Sequence, residues 1–408
     1  MKKITLQAKI SFELEEIKLS HVMRVFLRGL CGLFASLLSQ ALRHYGAEYM
    51  RSGRLGKLLG HDGPLTWKSL HGSRQTVLYT IFGKAWVPQL QVRLHYADGS
   101  TSTRSVTRLL LGVSRFQRIS DEMKYWMSLL SSLCSYRTAR KVLAGLGFRS
   151  YALGSFRRSV LWVSQRLELG ISSVKACLLL ADGTGIATLN TGKRGSELKV
   201  IAEWVAGKLR LVNIGIGKYG EKREWQALFL PIKQCFEQAG VEVRKELAAV
   251  IDGCKAILSG IKNLDRFIRI QRDIWHITHQ LKYYLWKDKV VELHKATLFK
   301  TVFSAAFPEN GKTIEQRLEK LATAILLCSQ FKYTACMSYL MNLAGHLAAH
   351  QEEATWEMPT AYSTKIERMM RTVNQRMDIG VWSEPGALAV AKIRLAHFYN
   401  GQGLSSGG

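Results

Sequence analysis

The sequence lacks any Cys-x-x-Cys pair, although it holds 7 cysteines in 408 residues. Cys31, Cys134, Cys177, Cys235, Cys254, Cys328 and Cys336 are scattered and odd in number. That argues against a disulfide framework and a zinc ribbon, and points to a reducing cytoplasm. A long uncharged apolar run is missing too. The most apolar stretch near the start, Val22 to Leu42, is interrupted by Arg24, Arg28, Ser36, Ser39 and Gln40. A membrane span needs about 20 mostly apolar residues, so a buried amphipathic helix is expected there and a membrane is not expected as a partner. Basic residues open the chain with no apolar run behind them, unlike a secretory signal. No Gly-x-x-x-x-Gly-Lys-Ser/Thr phosphate loop occurs, so a nucleoside triphosphate is not an expected energy source. Acidic residues are scarce: 31 Asp+Glu stand against 58 Lys+Arg, for a formal charge of +27. Charge of that size, spread along the chain, steers a protein to polyanions, with nucleic acid ahead of an anionic membrane.

What is present is ordered. Residues 1–115 read as an N-terminal helix (Ile17 to Tyr45), a loop from Gly53 to Gly72, and one small antiparallel sheet. In that sheet Val77, Tyr79 and Ile81, and then Leu90, Val92, Leu94 and Tyr96, share faces. Turns are expected at Phe82-Gly83-Lys84 and Asp98-Gly99. Residues 116–171 turn helical. Met123, Trp126, Met127, Leu130 and Leu133 line one face, Ala139, Val142 and Leu143 the next, and Ser150 stands where it can cap a further helix. This spacing is consistent with a helix-turn-helix, with Arg149, Arg157 and Arg158 placed for DNA; the plainer reading is an ordinary three-helix unit with a solvated basic face.

From Val174 the periodicity predicts strands at Val174–Ala181, Leu198–Trp204 and Leu209–Ile216, then a helix at Glu224–Ala239. A strand at Leu247–Ile251, a helix at Lys255–Ile261 and a strand at Phe267–Ile270 follow. Three strands, helix, strand, helix, strand is the order of a ribonuclease-H-like α/β core, expected over 172–278 and 356–400. An all-helical insertion is expected at 279–355, and a loose Gly- and Ser-rich tail at 401–408.

Asp182-Gly183 and Asp252-Gly253 each follow an apolar strand. A carboxylate there stands at the rim of a sheet, and the adjacent Gly allows close approach of backbone or substrate. Paired rims of this kind suit a shared Mg²⁺, which takes oxygen ligands. Glu367, beside the stripe Ile366, Met369, Met370 and Val373, is the candidate third carboxylate. Arg368, Arg371 and Arg376 around it suit a DNA backbone. Each residue has a plainer reading: an Asp-Gly pair alone is most often a turn, and Glu367 to Arg371 has ion-pair spacing on a helix.

The order Asp182-Gly183-Thr184, Asp252-Gly253, Asp273-Ile274-Trp275-His276 and Glu367 resembles the DDE transposases of the Mutator-like superfamily, which includes many bacterial insertion-sequence transposases. The Asp-x-x-His pair, the helical insertion and the closing stretch from Asn374 through Trp382 to Asn400 share in the likeness. It covers Leu178 to Asn400. The zinc-binding Cys pairs common ahead of such cores are absent.

The resemblance implies a metal-binding catalytic triad of Asp182, Asp252 and Glu367, with Asp273 and His276 accessory. It implies Mg²⁺ or Mn²⁺, two ions, and double-stranded DNA as partner, both terminal inverted repeats and target. It also implies DNA cleavage and strand transfer by a homodimer or larger assembly in the bacterial cytoplasm, on the nucleoid. A catalytically inactive DNA-binding descendant and a ribonuclease-H-like nuclease are the alternatives. The spacings His276/His279 and His346/His350 suit a transition metal, but no Cys pair accompanies them. Trp275, Trp286 and Trp382 are candidates to stack on unpaired bases, with core packing the commoner use of Trp.

Overall fold

The computed structural model describes residues 19–51, 59, 66–70, 75–96, 98–112, 117–175, 177–190, 195–265, 268–306, 313–349 and 363–401. The chain divides into two compact units, Met1–Val163 and Ser164–Gly408. Among the described residues no helix is long and apolar enough to cross a membrane.

In the first unit, α1 (Leu19–Arg51) lays Ala35, Leu38 and Leu42 against Leu78, Ala85 and Val87 of the hairpin β2 (Gln75–Thr80) and β3 (Gly83–Pro88). The helix is amphipathic but only half covered: Phe26, Phe34 and Tyr45 are exposed. The single expected sheet is two. The β2–β3 ribbon turns at Ile81-Phe82, with Gly83 already in β3. β4 (Gln91–His95) instead pairs with β1 (Thr66–Leu70) and β5 (Thr101–Ser105). β1 lies in the stretch expected to be loop, most of which falls outside the described residues. Neither TWKSL nor TSTRS alternates apolar with polar; ladder pairing to β4 holds them where periodicity gives no signal.

α2 (Val106–Leu111) is closed by Ser105 and Gly112, and three helices follow: α3 (Asp121–Leu133), α4 (Tyr136–Gly145) and α5 (Leu153–Arg166). Ser120 caps α3 and Ser135 caps α4 through the backbone N–H three residues on. Their core is Met123, Met127, Ala139, Leu143, Tyr151 and Phe156. Trp126, Leu133 and Val142, expected inward, are exposed. Each lies at the edge of the apolar stripe, on the side the neighbouring helices leave open. Ser150 is not a cap, since α5 begins only at Leu153.

The second unit is α/β with a mixed five-stranded sheet, order β10-β9-β6-β7-β8. β6 (Cys177–Ile186), β7 (Ser196–Val205) and β8 (Lys208–Lys218) are antiparallel. β9 (Leu247–Ile251) and β10 (Arg269–Arg272) run parallel to β6. On one face, α6 (Lys222–Ala239) and α8 (Lys255–Leu264) bury Trp225, Phe229, Phe236, Ile257 and Ile261 over Leu179, Ala181, Ala249 and Ile251. A single turn, α7 (Val243–Glu246), leads into β9.

Four helices form a separate core of Leu281, Leu298, Val302, Leu321, Cys328 and Leu340. They are α9 (Ile274–Lys287), α10 (Glu292–Ala306), α11 (Ile314–Gln330) and α12 (Thr334–Ala349). Arg317 closes the end of α10 by donating to the carbonyls of Ala305 and Ala306, and Asp288 accepts the N–H groups of Ala335 and Cys336 at the start of α12. The helical block therefore starts at Ile274, and His276 lies in its first turn.

α13 (Ser363–Met377) and α14 (Glu384–Asn400) pack on the remaining face, α13 along β6 and α14 on β8. α14 buries Ala387, Ala389, Val390, Ala391, Ile393, Leu395 and Ala396 at once. A helix apolar all round has no stripe to read. Residue 350, residues 351–362 and the tail beyond Gly401 lie outside the described residues, as does the side chain of Trp275.

Candidate metal centre

Asp182 does not end its strand, because β6 runs on against β7 to Ile186. It stands where the other neighbour stops: Ala181 pairs with Ile251, the last residue of β9. Asp252 follows beside it. Arg272 pairs with the same Ile251, and the Asp273 N–H donates to the Ile251 carbonyl at 2.7 Å. Three acids thus follow one row across three adjacent parallel strands. In register, Asp182 shares the face of Leu178, opposite Leu179 and Ala181.

The start of α9 completes the group. Asp182, Asp252 and His276 bring a potential ligand atom each to within 4.8 Å of one another. His276 Nδ1 lies 2.7 Å from an Asp273 carboxylate oxygen, and Asp273 is buried. The i,i+3 spacing at the helix start puts both on one side of the turn. A carboxylate on one ring nitrogen is the arrangement that orients metal-ligating histidines through the other. Two carboxylates and an imidazole fit a divalent cation, and the mixed donors suit Mn²⁺ at least as well as Mg²⁺.

Burial, and then the Asp252 charge, push Asp182 up to about 7. Burial also raises Asp252, against the Cys254 N–H that it accepts at 2.7 Å and the charges of His276 and Arg272. For His276 burial pulls downward, but the bond to Asp273 and the charges of Asp273, Asp182 and Asp252 outweigh it, and the net direction is up. Negative charge is held out of water here, which is what a cation would relieve.

Both glycines are required by what they touch. A Cβ on Gly183 would strike the Glu197 carboxylate, and one on Gly253, at φ +86°, would strike the Arg272 guanidinium. Gly253→Ala should therefore destabilise by about 1–3 kcal/mol through backbone strain and displaced packing, read as a lower midpoint in urea.

Glu367 is not a member of the group. Its carboxylate accepts from Arg371 at 2.8 Å, the i,i+4 pair its spacing allowed. Its helix nonetheless runs beside the strand bearing Asp182: Asn374 donates to Thr184 Oγ1, and the Lys365 ammonium stands 4.6 Å over the ring of Trp204, which pairs with Leu178. Arg368 and Arg371 are exposed. Arg376, expected to meet DNA, is buried with its guanidinium 4.4 Å over Trp382, so it is part of the packing. Trp382 is itself buried and donates to Met377 O, while Trp286 is exposed. His279 is exposed and outside the group, and His350 lies outside the described residues. Arg149, Arg157 and Arg158 are exposed in the first unit.

The periodicity missed Arg272, whose guanidinium lies against Gly253 and whose charge lowers Asp252. It also missed Tyr219, a largely exposed residue whose phenol is raised by partial desolvation and then by the charges of Glu197, Cys254, Asp252 and Asp182. No spacing linked either to the Asp-Gly pairs. The chain matches no family model, and no curated protein matches it.

Proposed function

We propose that the chain is a metal-dependent DNA-processing enzyme with a ribonuclease-H-like core, acting as the transposase of a mobile element. The convergence of Asp182, Asp252 and His276 supports this reading, because residues from β6, from the end of β9 and from α9 meet in one group of potential ligands. A net charge of +27 supports DNA as the substrate.

In this reading Asp182, Asp252 and His276 hold a cation, Mn²⁺ or Mg²⁺. When bound, the ion stabilises charge on a phosphoryl oxygen and lowers the pKa of a water. Asp273 fixes the tautomer and plane of His276. Arg272 brings positive charge next to Asp252, where a phosphodiester would enter. The three ligands serve one ion; a second would draw on Glu367, which must first leave Arg371. Arg368 and Arg371 contact the DNA backbone, Arg149, Arg157 and Arg158 contribute to DNA binding from the first unit, and a dimer holds two element ends.

The direct test is nicking of supercoiled plasmid by the full chain. Product should appear with Mn²⁺ or Mg²⁺ and vanish with chelator. DNA binding without any divalent-dependent nicking would leave the inactive-descendant reading in its place. Asp273→Asn should weaken Mn²⁺ binding by about 10–100-fold in titration calorimetry, with His276 still present. An unchanged affinity would remove Asp273 from its orienting role.

A further inference from the structure

The first unit carries a cleft that the metal chemistry does not use. It encloses about 620 Å³ between the end of β2, the start of α3 and the α4–α5 connection. That volume is in the range of small-molecule sites. Its walls combine Arg118, Lys124, Arg149 and Arg158 with Tyr79 and Trp162. Lys124 is ion-paired with Asp121 at 2.8 Å and lies 4.0 Å over the Trp162 ring. Arg118, Arg149 and Arg158 are exposed, and among the described residues none of them pairs with a carboxylate. Three arginines that repel one another around a concavity call for an anion.

The aromatic component narrows the anion. The Arg149 guanidinium stands 4.7 Å over the Tyr79 ring. Tyr79 in turn meets buried Tyr151 edge-on, with centroids 6.0 Å apart. Arg149 is thus an exposed side chain anchored on an aromatic ring, where its planar guanidinium plate can also meet a base. Nucleic-acid bases stack on such guanidinium planes as they do on aromatic rings. A bare phosphate or a sulfated sugar would need the charges but not the plate.

We propose that this cleft binds an unstacked nucleotide of single-stranded DNA. The base stacks on Arg149 over Tyr79, and the flanking phosphate meets Arg118 and Arg158. The inference rests on the nucleic-acid reading above but not on the metal centre.

The test uses the full chain in the absence of divalent ions. Fluorescence anisotropy compares a short labelled oligothymidylate with an abasic oligomer of the same length and charge. The oligothymidylate should bind about tenfold more tightly, the contribution of stacking one base. Arg149→Ala should remove that difference, and Arg149→Lys should remove it as well, since lysine keeps the charge and loses the plate. Arg158→Ala should weaken both probes alike. Both side chains are exposed, so folding is checked by unchanged thermal melts.

Equal binding of the two probes by the wild type, or a preference that survives Arg149→Ala, overturns the proposal and leaves DNA binding elsewhere intact. Failure to bind either probe or duplex DNA overturns the nucleic-acid reading with it.

Discussion

Asp182→Asn should abolish divalent-dependent nicking, by about 1000-fold or more, and at the same time make the metal-free protein more stable above neutral pH. The first effect follows from removing a charged ligand from a set of three, equivalent to roughly 4 kcal/mol or more of barrier. The second follows from burial. The carboxyl is raised to about 7 in the fold, chiefly by burial and then by Asp252, against about 3.9 when unfolded. Its folded pKa is the higher one, so the folded chain holds the proton more tightly. The stability this gives is present in full below the unfolded pKa and is lost as pH rises through about 7. At about pH 8 the wild type must bury a charge that asparagine does not carry.

Thermal melts at about pH 4 and pH 8, with and without Mn²⁺, separate these contributions. The metal-free variant should melt above the wild type at pH 8, and the gap should close at pH 4. Mn²⁺ should stabilise the wild type, more at pH 8 than at pH 5.5 because protons compete for the same oxygens. The variant should respond little. A variant that keeps the full Mn²⁺ shift would take Asp182 out of the centre, whatever its activity. Asp252→Asn should behave alike in nicking.

The parts of this centre that were legible in the sequence are those set by strands. Leu247–Ile251 is an unbroken apolar run bounded by polar residues, and β9 has those bounds because both its faces are covered. Asp252 and Asp182 were visible as acids beside glycine after such runs. Their adjacency comes from parallel pairing of β6 with β9, which no local pattern encodes. Asp273 and His276 were visible as a motif, but only the row through Ile251 puts His276 on the two aspartates rather than beyond them. Glu367 shows the opposite case: the same spacing served a ligand and an ion pair, and Arg371 took it. Arg376 was indistinguishable by composition from Arg368 and Arg371, yet its place on the helix face decided burial against exposure.

Lys199→Met should strongly destabilise the second unit, by about 3–5 kcal/mol, because it strips a buried ion cluster of its cation. Lys199 lies on β7 with its side chain 1% exposed, and its ammonium donates to the Lys218 carbonyl and to Glu224 at 2.9 Å, with Glu197 at 3.0 Å. Glu197 is almost as deeply buried, under Gly183, and accepts the Gly220 N–H at 3.0 Å. Met fills the volume of the Lys stem but leaves the Glu197 charge in a dry site, under the glycine that follows Asp182. Glu224 is partly exposed and keeps access to water.

The loss should therefore be dominated by Glu197. Adding Glu197→Gln to Lys199→Met should restore a large part of the stability in urea unfolding, a coupling of about 2 kcal/mol or more in a double-mutant cycle. Additive effects would mean that the two charges do not share a site. Because the cluster and the candidate metal centre meet at Gly183, Lys199→Met should also weaken Mn²⁺ binding, and the double variant should recover it in step with its stability. A cation affinity that stays low after the fold is restored would show that Lys199 acts on the centre other than by balancing the Glu197 charge.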